Sequence, residues 1–336
     1  MHSSEKIDIV YLWVDGNDPL WRQKRQDALN QLSTKNLNGM AKYSNVEGRF
    51  RDNDELRYSL RALESYFPDC GHVYIVTDEQ SPSWLKASSQ VSIIDHKDLI
   101  PADKLPTFDS ANIESYIHRI PGLSERYFYL NDDVFFGAPV DLSHWFSQVI
   151  TPDGKPQDNI CVGWSDDLPV SNDGLQPDAT ALENACRLSI QWLKTHVTQT
   201  AKNFNDAHTY RTFAHAPRPM LKSMLHTLET EASDLFESVR TTVFRAWDKP
   251  TVVSDFVLRW ALANNRAILR DYSHIYLSTG DIKTNADLES FIAADGKLDF
   301  FCINDTTDDA NNLDPRLALV QSALQKMFPK ASRYEK

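Results

Sequence analysis

Four apolar runs in this chain each stop at an acidic or amide cluster. They are IDIVYLWV before Asp15-Gly16-Asn17-Asp18, HVYIVT before Asp78, RYFYL before Asn131-Asp132-Asp133, and DFFCI before Asn304-Asp305. Each run has the length and the Val/Ile/Tyr/Phe content of a buried strand. Helical patterns separate the first three. Asp18-Pro19 reads as an N-cap followed by proline at the first helical position, with a helix to about Leu32. Leu56, Leu60, Leu63 and Phe67 recur at helical spacing behind a cap at Asp52 or Asn53. A short strand at 91–95 follows, and Ser110 caps a helix carrying Ile113, Tyr116 and Ile117. This rhythm over residues 8–137 favours an α/β fold with a largely parallel, Rossmann-like sheet. Ligands of such sheets bind beyond the carboxyl ends of the strands, so the polar tips are expected to converge on one crevice. Carboxylates gathered there repel each other unless a cation or protons neutralise them. The economical reading is a metal-assisted site for an anionic, phosphorylated substrate.

The rest of the chain changes character. Residues 151–175 are rich in Pro, Gly, Asp and Asn around the run NICVGW, residues 178–265 read mostly helical, and AILRDYSHIYLS and LDFFCIND return to strand patterns. The expected organisation is a single domain over 1–336. Its sheet core comes from 1–150 and 266–310, with a mainly helical insertion at 176–265 and a C-terminal helix within 311–336. A net charge of -12 argues against a general nucleic-acid binder, which needs a basic surface. The four cysteines lack CxxC spacing, which points to neither a zinc site nor a disulfide framework. No apolar run has the length of a membrane span. The first strand begins almost at once, leaving no room for a signal peptide, so a cytoplasmic protein is expected. A P-loop, a Gly-x-Gly-x-x-Gly turn and a Gly-x-Ser-x-Gly elbow are all absent, which counts against P-loop kinases, dinucleotide dehydrogenases and α/β-hydrolases.

Each candidate group has a plain alternative. Asp15 and Gly16 read as a ligand-site turn, or as a simple Asx turn; for Asp18, capping is preferred. Adjacent acids at the end of a buried strand are one way to hold Mg²⁺ or Mn²⁺ beside a diphosphate, and Asn131-Asp132-Asp133 fits that, but strand-end capping also produces such pairs. Arg49, Arg51, Arg57 and Arg61 cluster where arginine forks and a helix N-terminus suit phosphate, with helix-surface ion pairs as the alternative. His118-Arg119 suits either a helix end or a substrate contact. His215 lies in an irregular segment, a setting suited to general-base work. Arg245 can neutralise a transferring phosphoryl group, or pair with Asp248 or Asp255. Asn304-Asp305 offers a further metal or diphosphate contact that Thr306-Thr307-Asp308-Asp309 extends, or is a plain acidic loop.

Taken together and in this order, the segments IDIVYLWVDGND, RFRDNDELRYSLRALESYFP through HVYIVTDEQSPSWL to RYFYLNDDVFFG, the looser stretch with His215, Phe244-Arg245 and Asp255, and DFFCINDTTDD resemble the Stealth family of sugar-phosphate transferases. That family includes bacterial capsule polymerases and the catalytic subunit of the lysosomal-enzyme GlcNAc-1-phosphotransferase. The resemblance implies a GT-A-like catalytic domain. It also implies transfer of a hexose 1-phosphate from a UDP-sugar donor to a hydroxyl of an oligo- or polysaccharide acceptor, with release of UMP. Carried onto these residues, Asp132 or Asp133 is an essential acid near Mg²⁺ or Mn²⁺, with Asp133, Asn304 and Asp305 as expected metal contacts. His215 is the general base and Arg245 a phosphate clamp. Asp15, Gly16, Arg49, Arg51, Arg57, His118, Arg119 and Asn131 are the expected substrate contacts. The setting implied is capsule or exopolysaccharide synthesis in the bacterial cytoplasm, with peripheral association with an assembly complex at the inner membrane compatible with it. A glycosyltransferase releasing UDP and a non-catalytic carbohydrate-binding assembly protein are the competing readings.

Overall fold

The computed structural model describes residues 6–197, 204–282, 285–305, 307 and 314–336. Its strands are β1 (Asp8–Leu12), β2 (Val73–Thr77), β3 (Val91–Asp95), β4 (Arg126–Asn131), β5 (Val134–Phe136), β6 (Phe146–Ile150), β7 (Pro156–Val162), β8 (Arg218–Leu221), β9 (Ala267–Leu269), β10 (His274–Ser278) and β11 (Phe300–Asn304). The first sheet has the order β3-β2-β1-β4-β8. β1 runs parallel to β2 and β4, β2 runs parallel to β3, and β8 closes one edge antiparallel to β4. β1, β2 and β4 are buried along almost their whole length, as both-faced burial between helices requires. The α/β, largely parallel architecture expected from the sequence is therefore present.

Strands from 266–310 do not enter that sheet. β10 and β11 pair in parallel and β5 joins β11 antiparallel, making a second sheet. β9 joins β7 and β6 in a third. The run DFFCI thus reaches the site from a different sheet, because β5 leaves the first sheet straight after Asp132-Asp133 and recruits β11 as its partner. The 176–265 stretch is mainly helical but also supplies the edge strand β8.

The helix Glu55–Tyr66 fastens the two sheets together. Leu56, Leu60 and Leu63 are fully buried in the core of the first sheet, while Tyr58 and Ala62 enter a second cluster with Phe135, Phe301 and Ile303. Full burial of each such leucine contributes about 1.5–3 kcal/mol. Leu324 and Val320 of the helix Pro315–Met327 complete the second cluster. Asp18 caps the helix Pro19–Gln31 as expected, accepting from the amides of Leu20 and Trp21 at 2.8 and 2.9 Å. Two expected caps shift. Asp54, not Asp52 or Asn53, stands at the cap position of helix 55–66, at φ 67 and with no side-chain cap bond. Asp109, not Ser110, caps the helix Ser110–Glu114. Among the described residues no helix is long and apolar enough to cross a membrane.

Candidate active site

Register fixes where the strand tips meet. Leu12 lies opposite both Val76 and Asn131, so β1, β2 and β4 end level with one another. A cleft of about 340 Å³ opens beyond them, lined by Trp13 and Val14 from the end of β1, Asn131, Asp132 and Asp133 from β4, and Asn304 and Asp305 from β11. Arg49, Arg51, Ser110, His215 and Arg245 reach it from connecting segments.

On one wall Asp133 is fully engaged. Its carboxylate accepts from Asn304 Nδ2 at 2.8 Å, faces His215 Nε2 at 3.3 Å and takes the Cys302 thiol at 3.5 Å. Burial opposes its ionisation, but the His215 ring and the bonds from His215, Asn304 and Cys302 outweigh burial and hold the carboxyl below its usual range. Asp132 is the reverse. No side chain among the described residues hydrogen-bonds to it, and burial, then the charges of Asp133, Glu55 and Asp52, push its carboxyl well above the usual range. Glu55 is pushed up to about 8 by burial and then by Asp52, and Asp52 to about 6 by burial and then by Asp54. Such a group of acids is electrostatically incomplete and invites a cation, and in the cleft the ligand atoms at metal-ligating spacing are those of Asp133, His215 and Cys302.

The facing wall is cationic. Arg49 Nη2 donates to Ser110 Oγ at 3.3 Å, and Arg245 Nη2 donates to the same oxygen. Arg49 Nη1 is buried without a hydrogen-bond partner among the described residues. Burial, and then the Arg245 charge, lower the Arg49 guanidinium to about 9. Arg245 Nε lies 3.6 Å from Asp109, which replaces the expected pairing with Asp248 or Asp255. Capping by Asp109 leaves the Ser110 hydroxyl free to accept from both arginines. Trp21, Phe50 and Phe108 pack edge-on or tilted beside them, with ring centroids 5.3 and 5.4 Å apart. Two crowded guanidiniums over an aromatic floor have the chemistry of a phosphate site.

The remaining expected residues separate cleanly. Arg51 lines the cleft but is tied to Asp305, and its Nη1 also donates to Thr307 Oγ1 at 3.0 Å. Asp305 in turn accepts from the Thr307 amide at 3.0 Å and from Asn53 Nδ2 at 3.3 Å, so its carboxylate is spent on this clasp and is not open to a metal. The Thr306, Asp308 and Asp309 part of the expected polar patch lies outside the described residues. Asp15 is not in the lining; it accepts from the Asn17 amide at 2.8 Å, and Gln80 brackets its backbone with two bonds of 2.9 Å. Gly16 presses on the Phe50 carbonyl, where a Cβ would stand 2.1 Å away. Asp78 pairs with Lys24 at 2.6 Å and turns away from the cleft.

Arg57 and Arg61 are bound to Glu335, each with an Nε bond of 2.7 Å, on the flank of helix 55–66. His118 Nε2 meets Glu229 at 2.7 Å, and Arg119 and Arg240 also bond to Glu229. None of these residues lines the cleft. His118, His226 and Glu229 have metal-ligating spacing, but two guanidiniums already neutralise Glu229. Sequence reasoning missed Ser110 as an acceptor and Glu55 and Tyr276 as lining residues, since nothing in their local pattern separates them from a helix start, a helix-surface acid and a strand aromatic.

His215 is positioned by pairing rather than by a regular element. The Ala214 amide donates to the Gly163 carbonyl at 2.9 Å, and Phe213 stacks on Trp164 at 4.5 Å. Upstream, the fully buried Arg259, held by Asp255 at 2.9 Å, donates to the carbonyls of Ala207, Thr209 and Arg211. With Nε2 turned to Asp133, Nδ1 is the ring nitrogen left for a substrate.

The chain matches Stealth protein conserved region 1 over residues 5–33, conserved region 2 over residues 49–153 and conserved region 4 over residues 292–336. It is 32% identical to an exopolysaccharide phosphotransferase of Streptomyces coelicolor, over 98% of this chain and 52% of that protein. A Nocardia farcinica exopolysaccharide phosphotransferase is also 32% identical, over 98% of this chain and 61% of its own length. The capsular polysaccharide phosphotransferase LcbA of Neisseria meningitidis is 46% identical over 42% of this chain and 38% of its own length. The chain thus spans about half the length of the first of these relatives. Among solved structures, the galactosyltransferase LgtC in complex with donor and acceptor sugar analogues is similar over 97% of this chain and 98% of its own, at 9% identity and a TM-score of 0.40. The chain belongs to the Stealth family.

Proposed function

We propose that this chain is a phosphotransferase of capsule or exopolysaccharide synthesis that moves a hexose 1-phosphate, of the N-acetylhexosamine type, from a UDP-sugar to a saccharide hydroxyl. The observation that carries this reading is the pairing of opposite chemistries across one cleft. Arg49 and Arg245 share the Ser110 hydroxyl on one wall, and the Asp133–His215 pair stands on the other. The names of the relatives, exopolysaccharide and capsular polysaccharide phosphotransferases, agree with it.

In this reading the acceptor hydroxyl gives its proton to His215 Nδ1 as its oxygen attacks the β-phosphorus. A new P–O bond forms, the bond from that phosphorus to the bridging oxygen breaks, and UMP leaves with the bond's electrons. Asp133 holds the imidazole in place and stabilises the imidazolium that results, while Asn304 and Cys302 keep Asp133 ionised. Arg49 and Arg245 neutralise charge on the phosphate oxygens and hold the diphosphate for attack. Trp21, Phe50 and Phe108 provide an apolar wall that keeps water from the arginines. A divalent ion, Mg²⁺ or Mn²⁺, would be held at Asp132, with Glu55 adding to the negative field, and would stabilise the leaving diphosphate oxygens. Arg57, His118 and Arg119 have no part in this assignment, and Asp305 serves by fixing Arg51.

Incubation of the purified chain with UDP-N-acetylglucosamine, Mg²⁺ and a capsule-type oligosaccharide primer tests the reading. UMP together with a new phosphodiester signal in ³¹P NMR is the expected result. UDP in place of UMP would make the chain a glycosyltransferase and overturn the phosphoryl-transfer assignment.

A further inference from the structure

Two tyrosines stand at the rim of the cleft, each 53% exposed, among a lining that is otherwise largely covered. They belong to opposite walls. Tyr43 follows a segment strapped to the arginine side: the Ala41 amide donates to the Arg245 carbonyl at 2.8 Å, and Met40 bridges to Ala246. Its backbone is held at φ 62, a conformation a bulky residue adopts only where its surroundings enforce it. Tyr276 lies on β10, the edge strand of the second sheet. It is in register with Cys302, so the two side chains share a face of that sheet. The Cys302 thiol on that face meets Asp133, the carboxylate that orients His215. His274, two residues back and on the same face, lies 3.5 Å from Asp166.

We infer that Tyr276 is the platform on which the acceptor saccharide lies, presenting its hydroxyl to His215. The inference rests on the phosphotransfer reading above and names the acceptor subsite of that same cleft. Its physical basis is the geometry of the two walls. The donor's diphosphate is drawn to Arg49 and Arg245, so an attacking hydroxyl must arrive from the His215 side. There the exposed, non-ionic ring face is that of Tyr276. A sugar ring offers an apolar C–H face and a polar edge, and a rigid aromatic with a hydroxyl tip matches both at small cost in conformational entropy. The acidic groups near Tyr276, Asp133 and Asp167, repel a second anionic donor, which favours a neutral saccharide there.

Two separate readouts test it. The first is binding without turnover: saturation-transfer NMR of the intact chain with α- and β-linked N-acetylhexosamine tetramers. Tyr276→Ala is expected to weaken tetramer binding about tenfold, the upper range for one aromatic contact, while Tyr276→Phe and Tyr276→Trp retain it. The second is steady-state transfer, in which Tyr276→Ala raises the acceptor KM and Tyr43→Ala raises the donor KM. Equal tetramer binding by wild type and Tyr276→Ala, or absence of tetramer binding to the wild type, overturns the platform. So does a Tyr276→Ala effect on the donor KM as large as that on the acceptor KM. Tyr276→Phe and Tyr276→Trp separate a lost ring from a disturbed strand: loss of binding in all three variants overturns the stacking role. Tetramer binding that depends on Tyr276, with UDP in place of UMP as product, would sink the phosphotransfer reading and leave the platform standing.

Discussion

Asp132 and Asp133 are adjacent, equally acidic by type and opposite in role. Asp133 is held ionised by His215, Asn304 and Cys302, while Asp132 has no side-chain partner among the described residues and is pushed toward protonation by burial and by its neighbours. The two asparagine variants should therefore fail differently. Asp133→Asn is expected to behave like His215→Ala, with kcat lower by about 10²–10⁴, the range for loss of general-base catalysis. Asp132→Asn is expected to abolish the binding of Mn²⁺ followed by EPR. If Asp133→Asn loses Mn²⁺ and Asp132→Asn keeps it, the roles are reversed. The amino-acid string gives the pair its place at a strand end, and no local pattern could have assigned the roles. They depend on Asn304 and His215, which lie 171 and 82 residues downstream. Ser110 illustrates the same limit at shorter range. A serine before a helix reads as a cap, yet Asp109 does the capping and the serine hydroxyl is left to the arginines.

At the scale of elements, strands and helices are legible where periodicity or a β-branched run is strong, as in β1, β2, β4 and helix 55–66. What failed was partnership. DFFCI has the composition of a strand of the first sheet, and composition says nothing of which neighbour it pairs with. Arg57 reads as a substrate contact from its place near a helix start, but it shares Glu335, 278 residues away along the chain, with Arg61. That clasp is nearly dry, with side chains of Arg61 and Glu335 7% and 2% exposed. Glu335→Gln would leave a buried guanidinium without its counter-charge and should lower the unfolding free energy by about 3–5 kcal/mol, measured by urea denaturation. Donor KM should not follow. Two short helical turns carry a pH dependence. Burial lowers His96 to about 4 against the pull of Asp78, and burial lowers His118 to about 4 against the pull of Glu229. Below the ordinary imidazole value of about 6.5 the unfolded chain takes up protons that these folded rings refuse. Their contribution is thus complete above pH 6.5 and is lost as pH falls from 6.5 to 4. A melting temperature that stays flat across that window would refute it, and His96→Gln should reduce the slope.

For the whole molecule, the cleft is a seam between sheets. One side is the carboxyl edge of the parallel sheet, the other is β10 and β11, and helix 55–66 buries a face in each core. Gly48 shows how closely the margins meet: its amide donates to the Thr307 carbonyl at 2.8 Å, and a Cβ there would stand 2.6 Å from Asp305 Oδ1. Gly48→Ala should part the Arg51–Asp305 clasp, lowering both transfer rate and melting temperature. Unchanged activity would show that the margins move independently. The sequence signals the parallel sheet through its alternating patterns, but a seam closed by Arg51 and Asp305, 254 positions apart, has no periodic signature.

The chain crosses from one sheet to the other within two residues, Asp132 and Asp133, between β4 and β5. Those residues therefore act as a weld, and what is joined there can be exchanged only as a unit. A chimera that takes residues 126–136 from a relative inherits a carboxylate cut to fit that relative's β11. Replacing 300–305 at the same time restores the fit, so this corner of the site can be transplanted only as three strands, β4, β5 and β11, drawn from segments far apart in the polypeptide.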